Sequence, residues 1–543
     1  MKHIDYISSK DEGGELDLIR KATGRYYTGE QVGRVLVENL VGNIDMARVN
    51  KRGNISVVDP FGGDGRLLHW FVKALGERLN NDVTFYVEIW DRDGSDYHVA
   101  KSRIEELRKA GLKINFKTKK VDSFRYALNQ KIMFDIVITN PPWEVVKPDR
   151  RELLGLLEEE KGKYKEKLKE YDEWLNINYP ISRPRKKFAG WGTNLSRVGF
   201  ELCTSIVKDG GLVGCVMPAS FLADSQSYEL RKRFVDNNII YAVFFFSAES
   251  RAYKGVDSTS CCLTFRKASG GSEKIRLSVV KAGVSRKSRG VNVSREVLRK
   301  IDYIFPFFMN SSSLSAFKKI TKTLPSWADL ERSLEYEFWS GREVDETGLR
   351  ERLTSSGKGN PFVKGRMVSR YKVSSHPQGR YHNPERAVPQ SALYRRIVWR
   401  DVSRPTQKRR MIATIIPNGW VAGNSLGVAH FKDSRSVFLE SFLAVINSIV
   451  FEFQLRAHLA TSHISLSSIR KVRLPDFEFL QDKKLYKMSK ELLSDKGDEY
   501  VADAYVAKIL YQLTKREYEA VLGCFDSLSV AEKALYKAAY EIV

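Results

Sequence analysis

Residues 55–68 read Ile-Ser-Val-Val-Asp-Pro-Phe-Gly-Gly-Asp-Gly-Arg-Leu-Leu. An apolar run, Ile55–Val58, enters an acidic, glycine-rich turn, Asp59–Gly65, and Arg66-Leu67-Leu68 opens a helical segment. Strand, tight turn and helix in that order are the repeating unit of a doubly wound α/β sheet. Gly62, Gly63 and Gly65 let the backbone, with Phe61, approach a ligand where a Cβ would clash. The turn starts with a carboxylate and lacks the Gly-Lys-Ser/Thr ending of a nucleoside triphosphate loop. It suits a ligand bearing an ammonium group rather than a phosphate.

The alternation continues downstream. A strand from Val83 to Trp90 ends at Asp91, where a carboxylate can accept both hydroxyls of a ribose. The next predicted strand, Lys113 to Lys119, is followed by Asp122 and Phe124, an acceptor for an adenine amine with a ring beside it. Residues 135–143, Asp-Ile-Val-Ile-Thr-Asn-Pro-Pro-Trp, form a third such strand end. Pro141 and Pro142 each fix φ, offer no N–H and push the preceding residue toward extended backbone. The Asn140 amide and the Pro141 carbonyl can then face one pocket, with Trp143 as its wall. Two oxygen acceptors beside a flat aromatic surface fit a planar base that carries an exocyclic amine.

Together these residues resemble the S-adenosylmethionine-dependent amino-methyltransferases of DNA. The nearest pattern is the N6-adenine, gamma-like class of restriction-modification enzymes, in which the catalytic domain precedes a target-recognition domain. The resemblance covers roughly residues 20–270. It implies that Gly24-Arg25-Tyr26-Tyr27-Thr28 closes over the methionine end of the cofactor, that Asp59–Gly65 is the cofactor loop, and that Asp91 and Asp122 bind ribose and adenine. It implies that Asn140, Pro141, Pro142 and Trp143 form the catalytic loop, with Asn140 also beside the cofactor. Asn194-Leu195 and Gly210–Val213 through Pro218 match the next helix and strand, and Tyr253 stands where the family stacks an aromatic on a flipped base. Three positions depart from the pattern. Asp64 replaces a small residue, Tyr253 a phenylalanine, and Trp143 a tyrosine.

Composition is consistent with this. The 543 residues, 42% of them hydrophobic, suffice for two or three domains. The net charge of +24 favours a nucleic-acid partner over none. No run of 18 apolar residues suggests a membrane span, and Met1–Asp5 has no signal-peptide character. Five cysteines without metal-ligand spacing imply a reducing cytoplasm, no disulfides and no metal site.

The expected architecture is a Rossmann-like α/β methyltransferase domain (1–300), a mixed α/β DNA target-recognition domain (301–480) and a helical C-terminal segment (481–543). A charged insertion, 149–190, follows the catalytic loop and carries Leu157, Tyr164, Leu168, Tyr171 and Leu175 at helical spacing. It is either a flap over the active site or DNA, or a solvated helix on the domain edge. Residues 271–300, polar and basic, read as an interdomain connection. Between 341 and 410 arginines interleave with Tyr371, Tyr381, Tyr394 and Trp399. Arg366, Arg370, Arg395, Arg396, Arg400, Arg404, Arg409 and Arg410 are the candidates for holding phosphates and reading bases, although most single arginines are surface charges. Residues 396–417 and 443–475 also resemble recognition domains of such enzymes.

The expected activity is site-specific methyl transfer from S-adenosylmethionine to the N6 amine of a flipped adenine in double-stranded DNA. The expected setting is a restriction-modification or related defence system, the enzyme acting as a monomer beside a separate endonuclease. The same loop could instead serve RNA or a protein glutamine, against which the basic second domain argues. A combined restriction-methylation enzyme would need a nuclease domain, and only some 20 residues precede the first motif. A catalytically dead scaffold is disfavoured by intact Asp59, Asp91, Asp122 and Asn140. A cytosine-N4 enzyme would usually open the loop with serine or threonine.

Overall fold

The computed structural model describes residues 28–129, 133–149, 153, 157–185, 187, 190–246, 259–280, 290–345, 353–354, 359–374, 380–381, 388–404, 407–432, 436–459 and 462–543. The chain divides into two units, Met1–Phe307 and Phe308–Val543.

The first unit is built on a nine-stranded sheet in the order β3-β2-β1-β4-β5-β7-β6-β8-β9. Its strands are β1 Asn54–Asp59, β2 Thr84–Asp91, β3 Lys113–Lys120, β4 Phe134–Thr139, β5 Val207–Pro218, β6 Asn238–Phe246, β7 Ser260–Lys267, β8 Lys274–Val280 and β9 Val291–Ser294. The five strands from β3 to β5 run parallel, and β7 enters antiparallel between β5 and β6. Strand order reverses between β1 and β4, which is where a doubly wound sheet opens a crevice at its carboxyl edge. Helices Glu30–Val41, Arg66–Gly76 and Tyr97–Lys109 bury their apolar stripes in one cluster with Val57, Val87 and Ile136. Phe200, on helix Leu195–Ile206, instead packs against Phe221, Phe234 and Phe265. Cys203, Cys215, Cys261 and Cys262 are free thiols buried among these layers.

Residues 271–300 are not a connection. β8 and β9 extend the sheet, burying Ile275, Leu277, Val291 and Val293, and helix Arg295–Lys300 closes the edge. Lys274, Arg276 and Asn292 are the outward residues of strands with one buried face, and residues 281–289 lie outside the described residues.

The charged insertion contains one long helix, Glu158–Asn178. Its first half is solvated and laced by Glu158–Lys161 and Glu159–Lys163 pairs. Its second half is anchored. Asp172 is buried against Lys187 at 2.5 Å, and Asn176 Nδ2 donates to Thr193 Oγ1 at 2.9 Å.

The second unit holds two four-stranded sheets. One is Phe338–Gly341, Leu426–Phe431, Arg396–Arg400 and Ala413–Ile416; the other is Leu353–Thr354, Arg380–Tyr381, Asn360–Val363 and Val421–Ala422. Residues 483–542 form helices that pack into this unit and are not a detached tail. Tyr505 donates to Asp482, Tyr511 to the Arg473 carbonyl, and Asp503 accepts from the Ile449 N–H and from Arg409. Among the described residues no single helix is long and apolar enough to cross a membrane. The apolar pair Phe438–Ile446 and Ile449–Ala457 bends by 60° and is core, with Phe442, Val450 and Phe453 fully buried.

Candidate active site

Four strand ends converge at the carboxyl edge of the first sheet. β1 ends at Asp59, β2 at Asp91, β3 runs into Asp122, and β4 ends at Thr139 before Asn140. The parallel register places them side by side, with Asp59 opposite Ile89 and Ile89 opposite Thr118.

The Asp59–Gly65 turn is held from several sides. Gly62 N–H donates to the Trp90 carbonyl at 3.1 Å. A Cβ on Gly62 would lie 2.6 Å from Ile89 Cγ2, and one on Gly65, where φ is +72°, would lie 2.9 Å from Ala100 Cβ. These two glycines are therefore required by the packing of the loop on β2 and its following helix. Asp64, the departure from the family pattern, is bound to Arg66 at 2.7 Å and to Arg103 at 2.9 Å. Burial opposes its ionisation, but the two guanidiniums hold its carboxyl below the ordinary range. Its extra charge is thus consumed inside the loop.

Asp59 is almost fully buried. Burial pushes its pKa up to about 7, and hydrogen bonds from Thr139 Oγ1 (2.5 Å) and the Phe61 N–H (3.0 Å) offset only part of that. Asp91 Oδ1 accepts from the Asp93 and Gly94 N–H groups at 2.9 and 3.1 Å. Glu88, the neighbouring carboxylate on β2, accepts from Trp90 Nε1 within the strand instead.

Asp122 is oriented by three donors. Oδ1 takes the Phe124 and Arg125 N–H groups at 3.0 and 3.4 Å, and Oδ2 takes the Tyr171 hydroxyl at 2.9 Å. Phe124 sits 5.2 Å from Phe61, ring to ring, so the aromatics after β1 and β3 share one wall.

The Asn140–Trp143 loop is braced by Thr28, from the N-terminal motif, and by residues that the sequence did not single out. Asn140 Nδ2 donates to Thr28 Oγ1 at 3.2 Å, which ties the end of the N-terminal motif to the Asn140 amide. A Cβ on Gly199 would lie 2.5 Å from Pro141 Cβ, so a helix glycine makes room for the loop. Beyond the loop, Val146 N–H donates to the Thr193 carbonyl and Leu195 N–H to the Glu144 carbonyl, both at 2.8 Å. Trp143 is half-buried and packs on the apolar cluster beneath the sheet edge. Tyr27, with Gly24 to Tyr26, and the stacking candidate Tyr253 lie outside the described residues.

The arginines of the second unit require correction. Arg396 is fully buried, bound to Glu343 at 2.6 Å and to three carbonyls. Arg409 is buried between Glu452 (2.9 Å) and Asp503 (3.4 Å) and donates to Tyr536 Oη. Arg410 is buried, and burial lowers its pKa to about 10. Arg370 is largely buried between Glu499 and the Asn447 carbonyl. None of these four presents a guanidinium to a duplex; Arg370, Arg396 and Arg409 pair charges inside the unit, and Arg410 donates to the Ser403 carbonyl. Arg400 is half-buried on the Val368 carbonyl, and Arg395 is exposed but bound to Glu440 at 2.8 Å. Arg366 and Arg404 are exposed. Tyr371, Tyr381 and Trp399 are core residues. Among the described residues no group of side chains is placed to hold a metal ion.

Several solved structures similar to this chain are restriction-modification proteins. A protein assigned as the modification subunit of a type I restriction enzyme from Vibrio vulnificus YJ016 is 18% identical, with 50% of this chain and 51% of that one covered at a TM-score of 0.35. The chain thus spans about half the length of that relative. A type I restriction-modification methyltransferase subunit from Streptococcus thermophilus is 14% identical, with 54% and 64% covered at a TM-score of 0.36. The Type IIL restriction-modification enzyme MmeI, solved in complex with DNA, is 11% identical, with 98% of this chain and 78% of that one covered at a TM-score of 0.50, a likeness of fold. No curated protein sequence matches. Residues 18–319, more than half of the chain, match the family model for N-6 DNA methylase, and the chain belongs to that family.

Proposed function

We propose that this chain transfers a methyl group from S-adenosylmethionine to the N6 amine of an adenine in double-stranded DNA. The observation that carries the reading is the meeting of Asp59, Asp91, Asp122 and the Asn140–Trp143 loop on one crevice at the strand-order reversal. The residues present fit the cofactor. Gly62 and Gly65 leave backbone where a Cβ would collide. Asp59 suits its ammonium end, Asp91 a ribose, and Asp122 with Phe124 and Phe61 an adenine. When bound, S-adenosylmethionine supplies a sulfonium methyl as electrophile.

The chain's own work is positioning. Asn140 Oδ1 and the Pro141 carbonyl accept the two protons of the target amine. That favours a tetrahedral nitrogen whose lone pair is no longer delocalised into the ring. No strong base precedes attack, because the proton can leave afterward. The gain is orientation and preorganised dipoles. The target atom is inaccessible in a stacked duplex, so the base must be extruded, with Trp143 and Tyr253 as the stacking surfaces. The second unit is proposed to recognise the DNA site, in a restriction-modification setting with the chain acting as a cytoplasmic monomer beside a separate endonuclease.

The test is radiolabelled methyl transfer by the full chain into duplex DNA, with nucleoside mass spectrometry. Label in N6-methyladenine is expected. Label in N4-methylcytosine, or only in RNA or protein, overturns the reading. Single-molecule sequencing of DNA from expressing cells would report the site.

A further inference from the structure

We propose that Tyr171, delivered by the insertion helix Glu158–Asn178, is a positioning residue that fixes Asp122 so that the cofactor pocket selects a 6-amino purine. This rests on the S-adenosylmethionine reading above. The helix is absent from the residue pattern that marks the cofactor site, yet its second half reaches that site. The Tyr171 hydroxyl donates to Asp122 Oδ2 at 2.9 Å, across 49 residues of sequence. The ring is stacked on Trp174, 5° from parallel at 6.1 Å, and Arg125 lies over both rings at 5.8 and 5.0 Å. Just past the helix end, Tyr179 donates to the Phe124 carbonyl at 2.6 Å and packs edge-on against the Phe124 ring. The helix therefore grips both residues expected to contact the adenine, the carboxylate through Tyr171 and the aromatic through Tyr179.

The chemistry follows from counting lone pairs. An ionised carboxylate only accepts, with about four lone-pair sites. The Phe124 and Arg125 N–H groups use Oδ1, and Tyr171 uses one side of Oδ2. What remains is an acceptor of fixed direction. An adenine offers an N–H donor from its 6-amine. A 6-oxo purine offers a carbonyl there and moves its donor to ring nitrogen N1, which a carboxylate locked in rotation cannot follow. Burial and the Asp122 charge both push the Tyr171 hydroxyl pKa up, so it stays a donor throughout the working range. Tyr171 touches Asp122 and acts on the ligand only through it.

The experiment is calorimetry on the full chain with S-adenosylhomocysteine and its inosyl counterpart, S-inosylhomocysteine. Wild type should prefer the adenosyl ligand by a large factor. Tyr171→Phe keeps the ring against Trp174 and Arg125, and should lose about tenfold in adenosyl affinity with less than twofold change for the inosyl ligand. In an Asp122→Asn background the same substitution should cost nothing further. Equal losses for both ligands, or an undiminished loss in the Asp122→Asn background, would mean that Tyr171 merely supports the fold, and the proposal falls. A wild type that binds neither ligand removes the cofactor reading itself, which the first titration alone reveals.

Discussion

Thr139 and Asp59, at the carboxyl ends of β4 and β1, share a buried hydrogen bond in which Thr139 Oγ1 donates to Asp59 Oδ1 at 2.5 Å. It bridges the strands at which the sheet order reverses, and it joins the Asp59–Gly65 turn to the residue before Asn140. It also offsets part of the burial effect that raises the Asp59 pKa.

Burial raises the Asp59 pKa from an ordinary 3.8 to about 7. A carboxyl raised on folding holds its proton better in the native state, so its contribution to stability is complete below about pH 4 and is lost as pH rises through 7. The size is on the order of 4 kcal/mol. Asp59→Asn should therefore melt close to wild type near pH 4 and increasingly above it as pH rises to 8. Affinity for S-adenosylhomocysteine should run the other way, falling below pH 7, because an ammonium needs the ionised form. Melting curves and titrations across pH 4–8 measure both; a Tm difference independent of pH would refute the assignment.

Asp91 and Glu88 lie three residues apart on β2, and only Asp91 reaches the strand end. Asp91→Ala should weaken S-adenosylhomocysteine binding by about 1.5–3 kcal/mol, the worth of a hydrogen bond to a charged group. Glu88→Ala removes a contact to Trp90 Nε1 and should cost stability rather than affinity. Calorimetry on the two variants decides, and the reverse ranking would place the ribose ligand inside the strand.

Asn140→Ala removes an acceptor for the target amine and the bond to Thr28. Methyl transfer should fall by about 100- to 1,000-fold, the usual loss of a preorganised polar group, while cofactor binding stays within a fewfold. Rates within a fewfold of wild type would sink the amine-positioning mechanism.

Gly199 tests the same loop from behind. An alanine there would put its Cβ 2.5 Å from Pro141 Cβ and 3.2 Å from Phe61 Cε2. Pro141 is rigid, so the loop must shift. Displacement near 1 Å costs about 100-fold in rate, and overpacking about 1–3 kcal/mol in stability. Gly199→Ala should thus lower kcat far more than it lowers Tm. Unchanged kcat would mean that the helix yields instead.

The first unit was legible because its chemistry sits at strand ends. Short apolar runs ending in Asp59, Asp91 and Asn140 carry position and role in the same few residues. Thr28 was expected beside the cofactor, but its bond to Asn140 was not legible, and Gly199 and Tyr171 were not legible as partners of that site at all. Each acts across a long separation in sequence, and nothing local distinguishes Gly199 from any helix glycine. Tyr171 was visible only as an apolar position at helical spacing, which fits an edge helix as well as a pocket wall. The second unit misled for a physical reason. Arginine density looks the same whether the charges face DNA or pair inside, and the partners of Arg396 and Arg409, Glu343, Glu452 and Asp503, are 43 to 94 residues away.

That distinction separates two kinds of arginine by experiment. Arg409 joins Glu452, Asp503 and Tyr536, linking the segment before strand Ala413–Ile416 and helix Ile449–Ala457 to the C-terminal helices. Arg409→Ala leaves buried Glu452 with Arg456 and buried Asp503 with Arg370 as their remaining cations, and should destabilise the second unit by about 3 kcal/mol, the low end for breaking a buried pair. Arg366→Ala and Arg404→Ala remove exposed groups and should leave Tm nearly unchanged. If they hold phosphates, each should weaken binding to cognate and unrelated duplexes alike and reduce the log–log salt slope by about 0.9. If one reads a base, specificity should relax at a single position of the site. Melting curves sort the first class, and binding at several salt concentrations sorts the second. A stable Arg409→Ala protein that has lost DNA binding would return that residue to the recognition surface.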